Sequence, residues 1–148
     1  MCYYTSCNNA NGGKTLMAEK KTVFLTGASG HMGWAGFKEL YKKKDKLNIV
    51  LLLRDSEKNR KKFANYLNDP SVKIVWGDLK KYDDVLKCVE GSDYVLHVGG
   101  MVSPSADYYP TKTIQTNTTA AKNIVDAVKA QPNKDDIKVV YIGTVAQT

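Results

Sequence analysis

Apolar residues gather in five short runs: TVFLT (22–26), NIVLLL (48–53), VKIVW (72–76), DYVLHV (93–98) and KVVYI (138–142). Most are almost continuously apolar and rich in β-branched side chains, the pattern of strands covered on both faces. The stretches between them carry a helical rhythm instead. HMGWAGFKELYKKK places Gly33, Gly36, Phe37 and Leu40 on one face. KNRKKFANYLN is short and basic, and YDDVLKCVEG ends at Gly91, suited to the position after a helix C-terminus. TIQTNTTAAKNIVDAVKA brings Ala121, Ile124, Val125 and Val128 to one face, with Pro132 marking the end. Strands alternating with helices predict right-handed βαβ units and a parallel sheet. Five strands in that rhythm predict a doubly wound α/β fold of the Rossmann type, in spatial order 3-2-1-4-5.

The 148 residues suffice for one domain with a core of its own. No apolar run approaches the ~18 residues that a membrane helix needs, so no membrane partner is expected. Cys2, Cys7 and Cys88 make a poor disulfide framework, and no metal site is expected. No secretory leader is visible, and a reduced, cytoplasmic protein is expected. Residues 1–20 read as a disordered leader, because MCYYTSCNNANGGKTL has no periodicity and clusters Asn with Gly. Met17 is a natural alternative start, and the domain is placed at residues 21–148.

The net charge of +7 raises the question of a nucleic-acid partner. The lysines concentrate in YKKKDKLN and EKNRKKF, without the interleaved aromatics that stack on bases. A nucleic-acid partner is therefore disfavoured. The charge suits an anionic ligand, a nucleotide included.

Such a ligand has a place to bind. Directly after the first strand stands TGASGHMG, with glycines at GxxGxxG. A bare glycine pattern is weak, but at a strand-to-helix junction of the first βαβ unit it becomes specific for a dinucleotide. Gly27 permits the tight turn, Gly30 lets backbone approach a pyrophosphate, and Gly33 lets the helix pack on the sheet. Backbone N–H groups around Gly30, His31 and Met32 would face the phosphates, and Ser29 completes the loop.

The ribose is read at the end of the second strand, which closes as LLLRD. Arg54 stands about 20 residues past the loop, where an arginine suits a 2′-phosphate and an acid would accept from a 2′-OH. Lys58, Arg60, Lys61 and Lys62 follow. This cluster favours NADP(H). The alternative is that Asp55 reads an NAD(H) ribose and the basic run is a solvated face.

Together, in order along residues 21–148, these segments resemble the extended short-chain dehydrogenase/reductases. That family includes nucleotide-sugar epimerases, dihydroflavonol reductase-like enzymes and 3β-hydroxysteroid dehydrogenases. TGASGHMG resembles its TGxxGxxG, and LLLRDSEKNRKK is similar to its reductase-like branch. WGDLKKYDDVLKCVEGSDYVLHVGG is similar to its stretch from Gly-Asp-Leu to D-x-V-x-H-x-A-A, and TNTTAAKNIVDA to its Asn-x-x-Gly-Thr helix. The resemblance implies that Asp78 and Leu79 border the adenine. It implies that Val98, Gly99 and Gly100 line the cofactor and that Asn117 is the helix asparagine of the site. Thr119-Ala120 departs mildly from the family's small-residue pair.

The resemblance also gives Thr144 a catalytic role. In the family the fifth strand ends in a Ser/Thr step whose hydroxyl binds the substrate oxygen, and here Gly143 leaves Thr144 as the hydroxyl of that step. The chemistry further needs a Tyr-x-x-x-Lys pair, in which the lysine lowers the tyrosine pKa for proton transfer. YYPTK supplies Tyr108 and Lys112 at that spacing, but it precedes the fifth strand and contains Pro110, which suits a helix start and not its interior. Tyr108 or Ser103 could at most touch substrate. The implied reading is the cofactor domain of an NADP(H)-preferring oxidoreductase or epimerase acting on a small carbonyl or hydroxyl compound. It is truncated before the proton-transfer pair and substrate region, unable to turn over alone, and a possible homodimer at full length. A non-catalytic dinucleotide sensor and a basic nucleic-acid binder remain as alternatives.

Overall fold

A computed structural model describes residues 19–101 and 105–143. Five strands form one parallel sheet: β1 (Lys21–Thr26), β2 (Leu47–Leu53), β3 (Val72–Trp76), β4 (Tyr94–His97) and β5 (Lys138–Tyr141). Their order across the sheet is β3-β2-β1-β4-β5, as the strand–helix rhythm predicts. The helices are α1 (His31–Tyr41), α2 (Glu57–Phe63), α3 (Tyr82–Val89), α4 (Ser105–Tyr108) and α5 (Pro110–Lys129).

β2 shows why a continuous apolar run was needed. Ile49, Leu51 and Leu53 enter the core that Leu25, Phe37, Phe63 and Val72 complete. Val50 and Leu52 point to the opposite core, with Phe24, Val85, Val89, Val95 and Ile124. Alternation along the strand thus feeds both layers at once. The α1 side is strongly aromatic: Tyr66 stands edge-on to Phe37 at 4.9 Å and to Tyr41 at 5.0 Å between ring centroids.

Local chemistry sets the helix boundaries. Ser56 caps α2 by accepting from the Asn59 N–H at 3.2 Å. Pro110 occupies the first turn of α5, and Gly91 follows α3 at φ +75°. Several details depart from the sequence pattern. α1 stops at Tyr41 instead of running through Lys44, because Lys42, Lys43 and Lys46 offer no apolar face to bury. α2 tightens after Phe63 into a 3-10 turn, Ala64–Tyr66. On α5 the buried face runs through Ala120, Asn123, Ile124, Ala127 and Val128, while Val125 is 45% exposed. Small side chains at 120 and 127 let the helix lie close to its neighbours, which a face centred on Val125 would not.

Lys20, reckoned with the leader, donates to the Lys44 carbonyl at 2.9 Å, and β1 begins one residue later. At this amino end of the sheet, Asp69 accepts from the Tyr41 hydroxyl (2.7 Å), the Lys44 ammonium (2.9 Å) and the Ser71 N–H (2.9 Å). Those donors hold its carboxyl far below the usual carboxylate range. At one side of the sheet β5 is exposed along its length, with Val139, Val140, Tyr141 and Ile142 all open to solvent. Among the described residues no helix is long and apolar enough to cross a membrane.

Candidate dinucleotide site at the carboxyl edge of the sheet

The register aligns Thr26 of β1 with Leu52 of β2 and His97 of β4, so three strands end together. In open α/β sheets ligands bind outside such carboxyl ends, where strand order reverses. Here the reversal lies between β1 and β4. Thr26 stands at that point, fully buried. Its Oγ1 lies 2.8 Å from His97 Nδ1 and accepts from the N–H groups of Val98 (3.1 Å) and Gly99 (2.9 Å). One hydroxyl thereby fixes the backbone that leaves β4.

Gly27 follows at φ +75°. A Cβ there would come within 2.7 Å of Gly99 Cα, so both positive φ and close approach demand glycine. Gly33 serves packing: a Cβ would collide with the Gly27 carbonyl, seating α1 directly on the turn. Gly30 differs. Its N–H donates to the Gly27 carbonyl at 3.0 Å, and a Cβ would meet only that oxygen, at an ordinary 3.4 Å. No neighbour among the described residues requires glycine here, which leaves a cradle that a side chain would fill. α1 starts at His31, so the N–H groups of His31, Met32 and Gly33 have no preceding helical turn to bond, and His31 and Met32 are exposed. Such a cradle with unspent N–H donors fits a pyrophosphate.

At the end of β2, Arg54 is exposed and its carbonyl accepts from Asn59 Nδ2 at 2.8 Å. Its guanidinium pairs with no other described residue. Asp55 is engaged: Arg60 grips it with two hydrogen bonds, Nε to Oδ1 at 2.6 Å and a second to Oδ2 at 2.8 Å. Those bonds push the Asp55 carboxyl down and the Arg60 guanidinium up. Arg60 also lies 4.8 Å over the Trp76 ring.

The loop after β3 forms the next wall. Asp84 accepts from the Asp78 N–H at 3.1 Å, and Asp78 accepts from the Lys80 N–H at 2.9 Å. Leu79 reaches to Gly99, where an added Cβ would stand 3.1 Å from its Cδ1. Asn123, buried on α5, donates to the Leu79 carbonyl at 2.9 Å. Across the site, Asn117 uses its whole amide on Met101: it accepts from the N–H at 2.8 Å and donates to the carbonyl at 3.1 Å. It thereby fixes the exit of Val98, Gly99 and Gly100 from β4.

The structure therefore gathers Gly27, Ser29, Gly30, His31, Met32, Gly33, Leu79, Val98, Gly99, Gly100 and Asn117 along one edge, with Arg54 at the end of β2 and Asp78 in the loop after β3. Thr144 and Ser103 lie outside the described residues. Tyr108 and Lys112 fall on different helices, α4 and α5, split by the break before Pro110, so they form no helical Tyr-Lys pair. Thr26, His97, Asn123 and Asp84 were not singled out from the sequence. Thr26 and His97 carried a signal in opening TGASG and closing YVLH, but their contact spans 71 residues of chain. Among the described residues no group of three or more His, Cys, Asp or Glu side chains could hold a metal ion.

The sequence profile of the NAD dependent epimerase/dehydratase family matches residues 23–148. The chain belongs to that family. A UDP-glucose 4-epimerase of Rickettsia bellii is 33% identical over 128 residues, covering 84% of this chain and 36% of that protein. The chain thus spans little more than a third of that relative's length. Among solved structures, Pen from Bacillus thuringiensis superposes with a TM-score of 0.70 at 22% identity, over 86% of this chain and 38% of that one. A UDP-glucose 4-epimerase from Bifidobacterium longum, in complex with NAD+ and UDP, gives a TM-score of 0.66 at 17% identity, over 84% and 37%. Both share the fold, in line with the extended short-chain dehydrogenase/reductase resemblance.

Proposed function

We propose that this chain binds a nicotinamide dinucleotide along the carboxyl edge of its sheet, with NADP(H) preferred over NAD(H). The N–H groups at the start of α1 take the pyrophosphate in the cradle over Gly30. Asp78 and Leu79 border the adenine, and the β4 exit at Val98, Gly99 and Gly100 lines the path to the nicotinamide. Asn117 keeps that exit in place through Met101. The NAD+ in the Bifidobacterium longum neighbour and the family match support a dinucleotide as the ligand class.

One observation carries the preference. Arg54 offers an unspent guanidinium at the ribose position, while the carboxylate that would read a 2′-OH is held by Arg60. Binding NAD(H) through Asp55 would require breaking a two-bond ion pair. Binding a 2′-phosphate through Arg54 requires breaking none.

The cofactor would supply hydride transfer to or from a small carbonyl or hydroxyl substrate. Thr144 is the residue proposed to hold the substrate oxygen. A catalytic Tyr-x-x-x-Lys following β5 is not among the 148 residues, so this chain binds cofactor without turning substrate over by itself. The Rickettsia bellii relative supports an epimerase or oxidoreductase reaction as the class of chemistry.

Thermal unfolding with each cofactor tests the reading, because a ligand bound only by the folded state raises the melting temperature. NADP(H) should raise it more than NAD(H), and Arg54→Ala should abolish the difference. An equal response to both cofactors, or a larger one to NAD(H), would overturn the preference.

A further inference from the structure

The loop that leaves β3 is held from two helices at once. Asp84 of α3 accepts from the Asp78 N–H at 3.1 Å, and Asn123 of α5 donates to the Leu79 carbonyl at 2.9 Å. Neither side chain makes the bond that its own helix would offer. Lys81 is the N-cap of α3, and an acid three residues later ordinarily reaches back to the N-cap N–H. Here that N–H is spent on the Asp78 carbonyl at 2.9 Å. The Asp84 carboxylate passes it by and lies against Gly77, where an added Cβ would stand 2.5 Å from Oδ2. Oδ2 takes the Asp78 N–H, while Oδ1 faces the Lys87 ammonium at 3.8 Å.

Asn123 is 9% exposed on a face of α5 otherwise made of Ala120, Ile124, Ala127 and Val128. A buried amide is costly there unless it is bonded, and its donor goes to the loop. The two bonds bracket a pair of residues. One holds the peptide entering Asp78, the other the peptide leaving Leu79. Between the anchors, Asp78 Oδ1 accepts from the Lys80 N–H at 2.9 Å, and Oδ2 lies 3.8 Å from the Lys80 ammonium. A carboxylate held in this way accepts from an amine and repels a carbonyl. Adenine carries an exocyclic amine where hypoxanthine carries a carbonyl. Such discrimination needs the carboxylate held to within about 0.5 Å, which a loop without anchors does not provide.

We propose that Asp84 and Asn123 are positioning residues for purine specificity, holding Asp78 and Leu79 where the adenine border selects adenine over hypoxanthine. The proposal rests on the reading that Asp78 and Leu79 border the adenine. Neither Asp84 nor Asn123 touches the base; both act through the backbone of the loop.

Calorimetric titration with 5′-ADP and 5′-IDP tests it on wild type, Asn123→Leu, Asp84→Ala and Asp84→Asn, each first shown to be folded by thermal unfolding. Wild type should favour ADP by roughly tenfold or more. Asn123→Leu and Asp84→Ala should each weaken ADP roughly fivefold, the scale of one hydrogen bond, and IDP less than about twofold. Asp84→Asn keeps an oxygen that can accept from the Asp78 N–H and should retain most of the preference. Equal weakening of both ligands would overturn the proposal and leave the two side chains as clamps of the fold alone. An undiminished preference in Asn123→Leu and Asp84→Ala would overturn it as well, as would a loss in Asp84→Asn as large as in Asp84→Ala. Should Asn123→Leu or Asp84→Ala not fold, Asn123→Asp replaces it, exchanging the donor for an acceptor at the same size. A full adenine preference in Asn123→Asp then overturns the proposal. Wild-type protein that binds ADP and IDP alike would instead overturn the adenine border itself, whatever the variants do.

Discussion

Thr26 Oγ1 stands 2.8 Å from His97 Nδ1 while accepting the N–H groups of Val98 and Gly99. Both lone pairs of the hydroxyl are spent on those N–H groups, so its proton goes to Nδ1. His97 is then neutral, with its own proton on Nε2. Thr26→Val keeps the shape and removes every one of these bonds. A buried polar group left without a partner costs about 1–3 kcal/mol, and several are stranded here. The expected loss is about 3 kcal/mol, read by denaturant unfolding, with the melting temperature lower by roughly 10 °C. Thr26→Ser, which keeps the hydroxyl, is expected to lose much less.

The same contact sets a pH dependence. His97 is 4% exposed, and burial holds its pKa below the ordinary histidine value. The unfolded chain therefore binds more protons than the folded one at mildly acidic pH, and stability rises with pH across that window. His97 contributes fully above about pH 6.5, and its contribution falls as pH drops from there toward the lowered folded-state pKa. Unfolding free energies measured stepwise through this range should decline on acidification. The decline should be shallower in His97→Asn, which has nothing to titrate.

Two glycines of α1 should respond in opposite ways to alanine. At Gly33 the new methyl would strike the Gly27 carbonyl, which is backbone and cannot turn aside. Gly33→Ala is expected to cost about 2 kcal/mol or more and to weaken cofactor binding, since relief requires moving the turn. At Gly36 nothing stands within 4 Å of an added Cβ. Gly36→Ala is expected to stabilise by about 0.5–1 kcal/mol through helix propensity and to leave binding unchanged. Thermal unfolding of both variants, with and without cofactor, checks the pair.

Asn117 spends both ends of its amide on Met101. Asn117→Ala frees the backbone that carries Gly99 and Gly100 and leaves the Met101 N–H without its acceptor. The Met101 amide is expected to lose exchange protection by roughly tenfold, and cofactor affinity to fall by a similar factor, each worth about 1.4 kcal/mol. Hydrogen exchange and a binding titration read the two effects separately. Retained protection at Met101 would show that the clamp is dispensable.

The sequence by itself determined the strands, their order and the glycine turn. Strand positions followed from apolar runs such as Ile49–Leu53, whose alternate residues feed two cores, and the edges agree within a residue. Gly27 and Gly33 were legible because a tight turn at a strand-to-helix junction has no room for a side chain at either position. The tertiary structure decided the rest. Only the parallel register of β1 and β4 brings Thr26 to His97, 71 residues apart. Only the packing of α2 on the loop turns Lys62 to Ser29 while Lys61 and Arg60 turn to acids. Only the depth at which α5 docks selects Ala127 over Val125 for burial. Hydrophobic periodicity reports which face of an element is buried. It carries no record of which distant backbone a lysine, an asparagine or a threonine will meet, because those partners are fixed by register and docking after the elements have formed.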